Sequence, residues 1–178
     1  MTPGVRARPI VLLGDPVLRE RAREVEAFDD ALRTLVDEMF ATMAVADGAG
    51  LAAPQIGVSR RILVVDVRHS EGDHARVALV NPVITERSER EARDVEGCLS
   101  IPGVKESVRR PVGVVVEGFD PSGEPLRVEA EGLYARALQH EVDHLDGVLF
   151  IDYLSPLKRN LLLRKYRKLR EAEEDPAG

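Results

Sequence analysis

His140, Glu141 and His144 stand in the run LQHEVDHLDG, residues 138–147, which holds half of the chain's four histidines. On a helix with about 3.6 residues per turn, side chains four positions apart lie one above the other, so two imidazoles so placed can grip one ion. Glu141 would be rotated about 100° away from His140. A carboxylate beside such a pair supplies the proton carrier that metal-assisted hydrolysis needs, whereas two histidines held merely by hydrogen bonds have no use for it. A catalytic ion of the zinc type takes three protein ligands and keeps one position for water, so a third side chain has to come from elsewhere.

The longer zinc-endopeptidase pattern H-E-x-x-H-x-x-G-x-x-H is matched through Gly147, but Phe150 stands where its third histidine belongs and cannot coordinate anything. A glutamate from a following helix is also poorly supported, because no acidic residue lies between Asp152 and Glu171. Upstream, the leading candidate is Cys98 in VEGCLSIPG, the single cysteine of the chain. A lone cysteine is more often a small buried hydrophobe, but beside a histidine pair its thiolate is a strong soft ligand, and Gly97 lets the backbone come close. Cys98 as a nucleophile with a histidine base would leave Glu141 and the four-residue spacing without a purpose. A third stretch, DGAGLAAPQIG at 47–57, formally satisfies the dinucleotide fingerprint through GAGLAA. Its context is wrong, since a helix precedes it, Pro54 interrupts it and a strand follows almost at once from Arg60. A plain turn is the bland reading. The chemical one is that Gln55 donates to a carbonyl oxygen on which charge develops.

The elements that must position these residues can be read from periodicity. Residues 29–46 place Leu32, Leu35, Val36, Met39, Phe40 and Met43 at helical spacing, with Asp29 or Asp30 as N-cap. RRILVVDV and ARVALVNPVIT read as two strands around the polar segment HSEGDH, whose His69 and His74 are taken as solvated loop residues. VGVVVEGFD and PLRVEAEG read as two more, joined by the turn DPSGE. After Gly132 the pattern turns helical and ends near Gly147, and a last helix opens with Ser155 as N-cap and Pro156 at its first position. The fold class is therefore α+β, with mixed or antiparallel strands packed around a central metal-binding helix and further helices towards the N- and C-termini. Residues 1–172 read as one catalytic domain, and 173–178, EEDPAG, as a disordered tail.

Composition sets the outer bounds. At 178 residues with 44% hydrophobic and 31% charged side chains, the chain suits a single core packed mostly by Leu, Val, Ala and Ile, since it has no Trp, three Tyr and four Phe. No apolar run approaches the roughly 18 to 20 residues of a membrane span, and the start lacks a signal core, so a cytoplasmic location is expected, with no membrane partner. One cysteine allows no internal disulfide, as suits a reducing compartment. A net charge of −6 argues against a DNA-binding protein, although cations crowd the last helix.

Taken in order, Gly48–Gln55, Glu96–Ser100 and Gln139–His144 resemble the three motifs of peptide deformylase, G-x-G-L-A-A-P-Q, E-G-C-L-S and Q-H-E-x-x-H, without a gap inside any of them. The similarity runs on through HLDGVLFIDYLSPLK and, more loosely, over nearly the whole chain. The resemblance implies an enzyme that removes the N-formyl group from the initiator methionine of new bacterial or organellar proteins and releases formate. It implies Cys98, His140 and His144 as ligands of Fe²⁺, with Zn²⁺ or Ni²⁺ able to take the same site. Glu141 would move the proton, and Gln55 with the backbone N–H of Leu99 would meet the oxyanion. Gly50 would lie along the substrate backbone, and Leu133, Ala137 and His140 would border the methionine pocket. Ala49 and Arg136 depart from some relatives, which carry an isoleucine or an apolar residue there. The basic C-terminal helix, by the same resemblance, would contact the ribosome, where formylmethionyl nascent chains emerge.

Overall fold

The computed structural model describes residues 5–68 and 74–174. Helix α1 spans Asp30–Val45, and its first free N–H groups are met by Asp29, whose carboxylate accepts from Leu32 N at 3.0 Å. Strands β1 (Gly50–Ala52), β2 (Ile62–Arg68), β3 (His74–Arg87), β6 (Gly113–Phe119) and β7 (Pro125–Glu131) form one antiparallel sheet in the order β1-β2-β3-β6-β7. Strands β4 (Glu91–Cys98) and β5 (Ile101–Pro111) form a separate antiparallel ribbon. Helix α2 spans Gly132–Leu145 and helix α3 spans Pro156–Glu174. All the ladders are antiparallel, and among the described residues the one parallel pairing is an isolated bridge between Arg23 and Arg60.

The first four residues of β2, 62–65, are all apolar for a structural reason. Successive side chains of a strand point to opposite faces. Leu63, Val65 and Val67 face a core shared with Ala135, Leu138, Val142 and Leu145 of α2, while Ile62 and Val64 face Leu32, Val36, Met39 and Met43 of α1. Both faces are buried along residues 62–65, and the first polar side chain, Asp66, comes only towards the partly exposed end of the strand. A third core joins the ribbon to the C-terminal region, with Ile101, Val104 and Val108 packed on Phe150, Leu162 and Tyr166. Helix α2 therefore lies between the sheet and the ribbon. Its C-terminal carbonyl at Leu145 accepts from Ala22 N at 2.8 Å and Arg61 Nη1 at 2.9 Å. Gly147 follows with φ +74°, where a Cβ would come 2.6 Å from the Arg19 carbonyl oxygen.

Several expectations need correction. The ribbon was not legible, because β4 reads EARDVEGC, mostly charged and exposed, and the buried apolar residues of β5, Ile101, Val104 and Val108, fall three and four apart instead of two. Gly50–Ala52 is an edge strand, and the segment after it, Ala53–Ile56, is a turn of 3-10 helix. His74 opens β3 and pairs with Asp66 instead of lying in a loop; His69 falls outside the described residues. Glu173 and Glu174 continue α3, with Glu173 accepting from Arg170, while 175–178 fall outside the described residues. Leu162 and Tyr166 hold α3 to the core with Leu163 packed against it, while Leu161 is 53% exposed.

Leu138 is fully buried beneath α2. Leu138→Ala is expected to lower unfolding free energy by about 2–5 kcal/mol through lost burial and a residual cavity. Urea denaturation of the metal-free protein measures it, and a loss below about 1 kcal/mol would show that the core closes over the gap.

Candidate metal centre

Helix α2 brings His140 and His144 together as their spacing requires, with ring centroids 5.0 Å apart. Cys98 comes from the end of β4, just past a bulge in its ladder with β5, a device that re-aims a strand side chain. Its Sγ lies 3.3 Å from His144 Nε2. One ligand atom from each of Cys98, His140 and His144 lies within 4.8 Å of the other two. Both histidines are buried and Cys98 is half-buried. Burial holds the His144 imidazole well below its ordinary pKa, hence neutral, which is the form that ligates metals.

His140 is oriented through its other nitrogen, since Nδ1 stands 3.0 Å from Glu96 Oε1. That leaves Nε2 for a metal, and a carboxylate behind a ligating imidazole fixes both its tautomer and its direction. Glu96 also accepts from Arg110 Nε at 2.6 Å and Nη2 at 2.9 Å, and from Arg136 Nη1 at 2.6 Å. Burial alone would raise the Glu96 carboxyl, but the hydrogen bond to His140 and the Arg110 guanidinium outweigh it and pull it down to about 2. Arg110 reaches on to Asp143 Oδ2 at 2.9 Å, and Tyr153 donates to the same oxygen at 2.7 Å. Phe150, at the position where the endopeptidase pattern has a histidine, stacks on His140 with centroids 6.2 Å apart.

Glu141 is buried, and its Oε1 has no hydrogen-bond partner among the described residues. Burial pushes its carboxyl up to about 7; a cation on the neighbouring ligands acts in the opposite direction. Its Oε2 lies so close to β1 that a Cβ at Gly50 would stand 2.6 Å away, so glycine is what makes room for the carboxylate. Gln55 is fixed at both ends. Its Oε1 accepts from Ala52 N at 3.0 Å, while Nε2 lies 3.2 Å from Ser100 Oγ and 3.6 Å from Cys98 Sγ. Two soft-to-borderline donor types, an oriented histidine, a neutral one and an unpaired buried carboxylate make a donor set that fits a divalent transition metal with a hydrolytic role.

A cavity of about 430 Å³ opens onto this cluster, and Gly50, Gln55, Leu99, Leu133 and Ala137 all line it. Cys98, His140 and Glu141 form its inner wall, and His144 sits behind them. Every site residue expected from the sequence therefore falls in one place. What the sequence did not reveal is the support behind them: Glu96, which belongs to the E-G-C-L-S motif, orients His140, and Arg110 holds Glu96. The charged sequence of β4 and the bulge between Glu96 and Cys98 left no regular strand period from which to find them. Arg136 lines the cavity with its stem, but its guanidinium turns away into the Glu96 network.

Comparison with known proteins agrees with this geometry. A family model described as polypeptide deformylase matches residues 7–160. A peptide deformylase of Brucella suis biovar 1 is 48% identical over 162 residues, 91% of this chain and 93% of that protein. One of Acidobacterium capsulatum is 48% identical over 167 residues, 94% and 98% of the two chains. The crystal structure of a peptide deformylase from Legionella pneumophila superposes with TM-score 0.87 at 45% identity, covering 94% of this chain and 98% of that one. A peptide deformylase from Ehrlichia chaffeensis, solved in complex with actinonin, gives TM-score 0.86 at 39% identity over 92% and 97%. Because the family match takes in β1, the ribbon that carries Cys98 and the helix that carries both histidines, this chain belongs to the polypeptide deformylase family.

Proposed function

We propose that this chain is a metal-dependent hydrolase that removes the N-formyl group from the amino-terminal methionine of newly synthesised proteins and releases formate. The observation that carries the reading is the convergence of three ligand atoms, the unpartnered carboxylate of Glu141 and the amide of Gln55 at the inner end of one cavity. Cys98, His140 and His144 hold the ion, Fe²⁺ in the cell, with Zn²⁺ or Ni²⁺ able to replace it. When bound, the ion supplies Lewis acidity, which polarises a carbonyl and lowers the pKa of water towards about 7.

Glu141 takes the proton of the attacking water as hydroxide adds to the formyl carbon. The oxyanion that develops is met by Gln55 Nε2 and by the backbone N–H of Leu99, in the turn that follows Cys98. Glu141 then returns the proton to the departing amine, which breaks the formyl C–N bond and frees formate. The peptide backbone runs along Gly50 on the open edge of β1, where main-chain hydrogen bonds to a substrate strand remain available. The methionine side chain enters between Leu133 and Ala137, against the ring of His140. Arg136 keeps its charge out of this apolar pocket because its guanidinium is spent on Glu96.

The setting we infer is the bacterial cytoplasm, where nascent chains emerge and a thiol stays reduced. No helix among the described residues is long and apolar enough to cross a membrane. Contact with the ribosome through α3 is part of the same proposal. Lys158, Arg159 and Arg170 have acidic partners in Glu106, Asp152 and Glu173. Arg164, Lys165, Arg167 and Lys168 are exposed and form no ion pair among the described residues, which leaves them for rRNA phosphates.

Anaerobically purified protein should contain iron and release formate from a formyl-methionyl peptide while leaving the unformylated peptide intact; cleavage of the latter would point to a peptidase. Glu141→Gln should keep the metal content and lower kcat by about 10² to 10⁴-fold, measured as formate release at saturating peptide. Near-normal turnover would remove Glu141 from the proton-carrying role. Cys98→Ser should lower metal occupancy at equal free Zn²⁺, read by equilibrium dialysis, since a hydroxyl is a poorer ligand than a thiolate; full occupancy would take Cys98 out of the ligand set. Replacing Arg164, Lys165, Arg167 and Lys168 with glutamate should weaken salt-sensitive co-sedimentation with ribosomes and leave turnover of a short free peptide unchanged. Undiminished co-sedimentation would reduce the four cations to a solvated helix face.

A further inference from the structure

The three ligands of the metal centre sit on two bodies that share no backbone ladder. His140 and His144 belong to α2, which packs on the five-stranded sheet, while Cys98 ends a strand of the two-stranded ribbon, which packs on α3. Something has to hold the ribbon and α2 in one relative placement, because a shift of a few tenths of an ångström at Sγ changes the coordination geometry.

Arg136 makes the densest set of contacts across that junction. From α2, Nη1 donates to Glu96 Oε2 on β4 at 2.6 Å and to the Val108 carbonyl on β5 at 2.9 Å, and Nη2 donates to the Ala92 carbonyl on β4 at 2.9 Å. The side chain is 9% exposed and that of Glu96 4%. The planar fork thus reaches both strands of the ribbon and the carboxylate that orients His140. Other links between α2 and the ribbon are Gln139 Nε2 to the Pro111 carbonyl at 3.0 Å, Arg110 to Asp143 and Glu96 to His140 itself.

We propose that Arg136 is a positioning residue of the metal centre, stitching the Cys98 ribbon to the histidine helix and locking the Glu96 carboxylate in the rotamer that receives His140. The inference rests on the metal-centre reading above. It separates the guanidinium fork from the charge: a lysine keeps the charge but cannot serve three acceptors in one plane. Supporting partners of a ligating histidine are worth about 10 to 100-fold in metal affinity, which sets the scale expected.

The test compares wild type, Arg136→Met and Arg136→Lys for Zn²⁺ affinity by competition with a chromophoric chelator, and for the visible absorption bands of the Co²⁺-loaded protein, with circular dichroism as the folding control. Arg136→Met should fold, bind Zn²⁺ at least about tenfold more weakly and show shifted Co²⁺ bands; Arg136→Lys should lie close to it. Wild-type Zn²⁺ affinity and an unchanged Co²⁺ spectrum in Arg136→Met, whatever its melting temperature, would overturn the proposal. Full recovery in Arg136→Lys would assign the effect to charge alone and overturn the stitching role. Failure of both variants to fold would likewise overturn it in favour of a general brace. A wild-type protein that takes up no stoichiometric Zn²⁺ would overturn the metal-centre reading itself, an outcome that no variant is needed to see.

Discussion

The carboxylate of Glu96 is the point on which the site turns. It accepts from Arg110 twice, from Arg136 and from His140, in surroundings that leave its side chain 4% exposed. Taking charges out of water costs several kcal/mol per ion even after relaxation, and only good geometry with satisfied hydrogen bonds offsets that cost. Glu96 and Asp143 place two carboxylates against the two guanidinium groups of Arg110 and Arg136, so opposite charges are matched within the cluster. A balanced buried cluster tolerates little displacement of any member. The interaction therefore does for the ribbon and α2 what a shared backbone ladder would do for two strands.

From that constraint the ligand geometry follows. Within α2 the spacing of His140 and His144 is a property of the helix, but the distance from either to Cys98 depends on how the ribbon is docked. The far side of the site is tied down separately. The N-terminal segment binds both flanks, with Val11 N donating to the Gln55 carbonyl at 2.8 Å and Leu13 N to the Ser100 carbonyl at 2.9 Å. Gln55 is held by Ala52 N, so the direction of its amide is fixed by the protein itself, as the proposed role requires. Preorganised donors of this kind need no reorientation as charge develops, which is the main source of their effect in water-excluded sites.

Space is rationed on the same scale. At Gly50 a methyl group would collide with Glu141, and at Gly48 it would come 2.7 Å from Leu99 Cδ1. β1 can thus lie against Glu141 only because its backbone carries no side chain at Gly50. The cavity left in front of them is bordered by Leu133 and Ala137, and although Arg136 stands in its wall, its guanidinium is bound to partners on the ribbon.

The sequence by itself determined what is local. Periodicity defined α1, α2 and α3, the β-branched run RRILVVDV defined β2 as a strand, and the types and spacing of His140, Glu141 and His144 defined a candidate metal-binding helix whose third ligand had few candidates. Tertiary structure decided what depends on partners distant in the chain. The ribbon escaped notice because its charged residues pair with one another, with α2 and with solvent, and its buried apolar residues follow Phe150 and α3 instead of a period of two. Leu161 and Leu162 are neighbours of one type, yet only Leu162 meets the core, since a helix turns about 100° between them. Arg136 looks from the sequence like a charge at the pocket wall; its acceptors on Val108 and Ala92 lie 28 and 44 residues away in the chain, and only folding brings them within reach. Helix period and side-chain chemistry are properties of a few consecutive residues, whereas the docking of ribbon on helix is fixed by buried charges that become neighbours only in the folded chain.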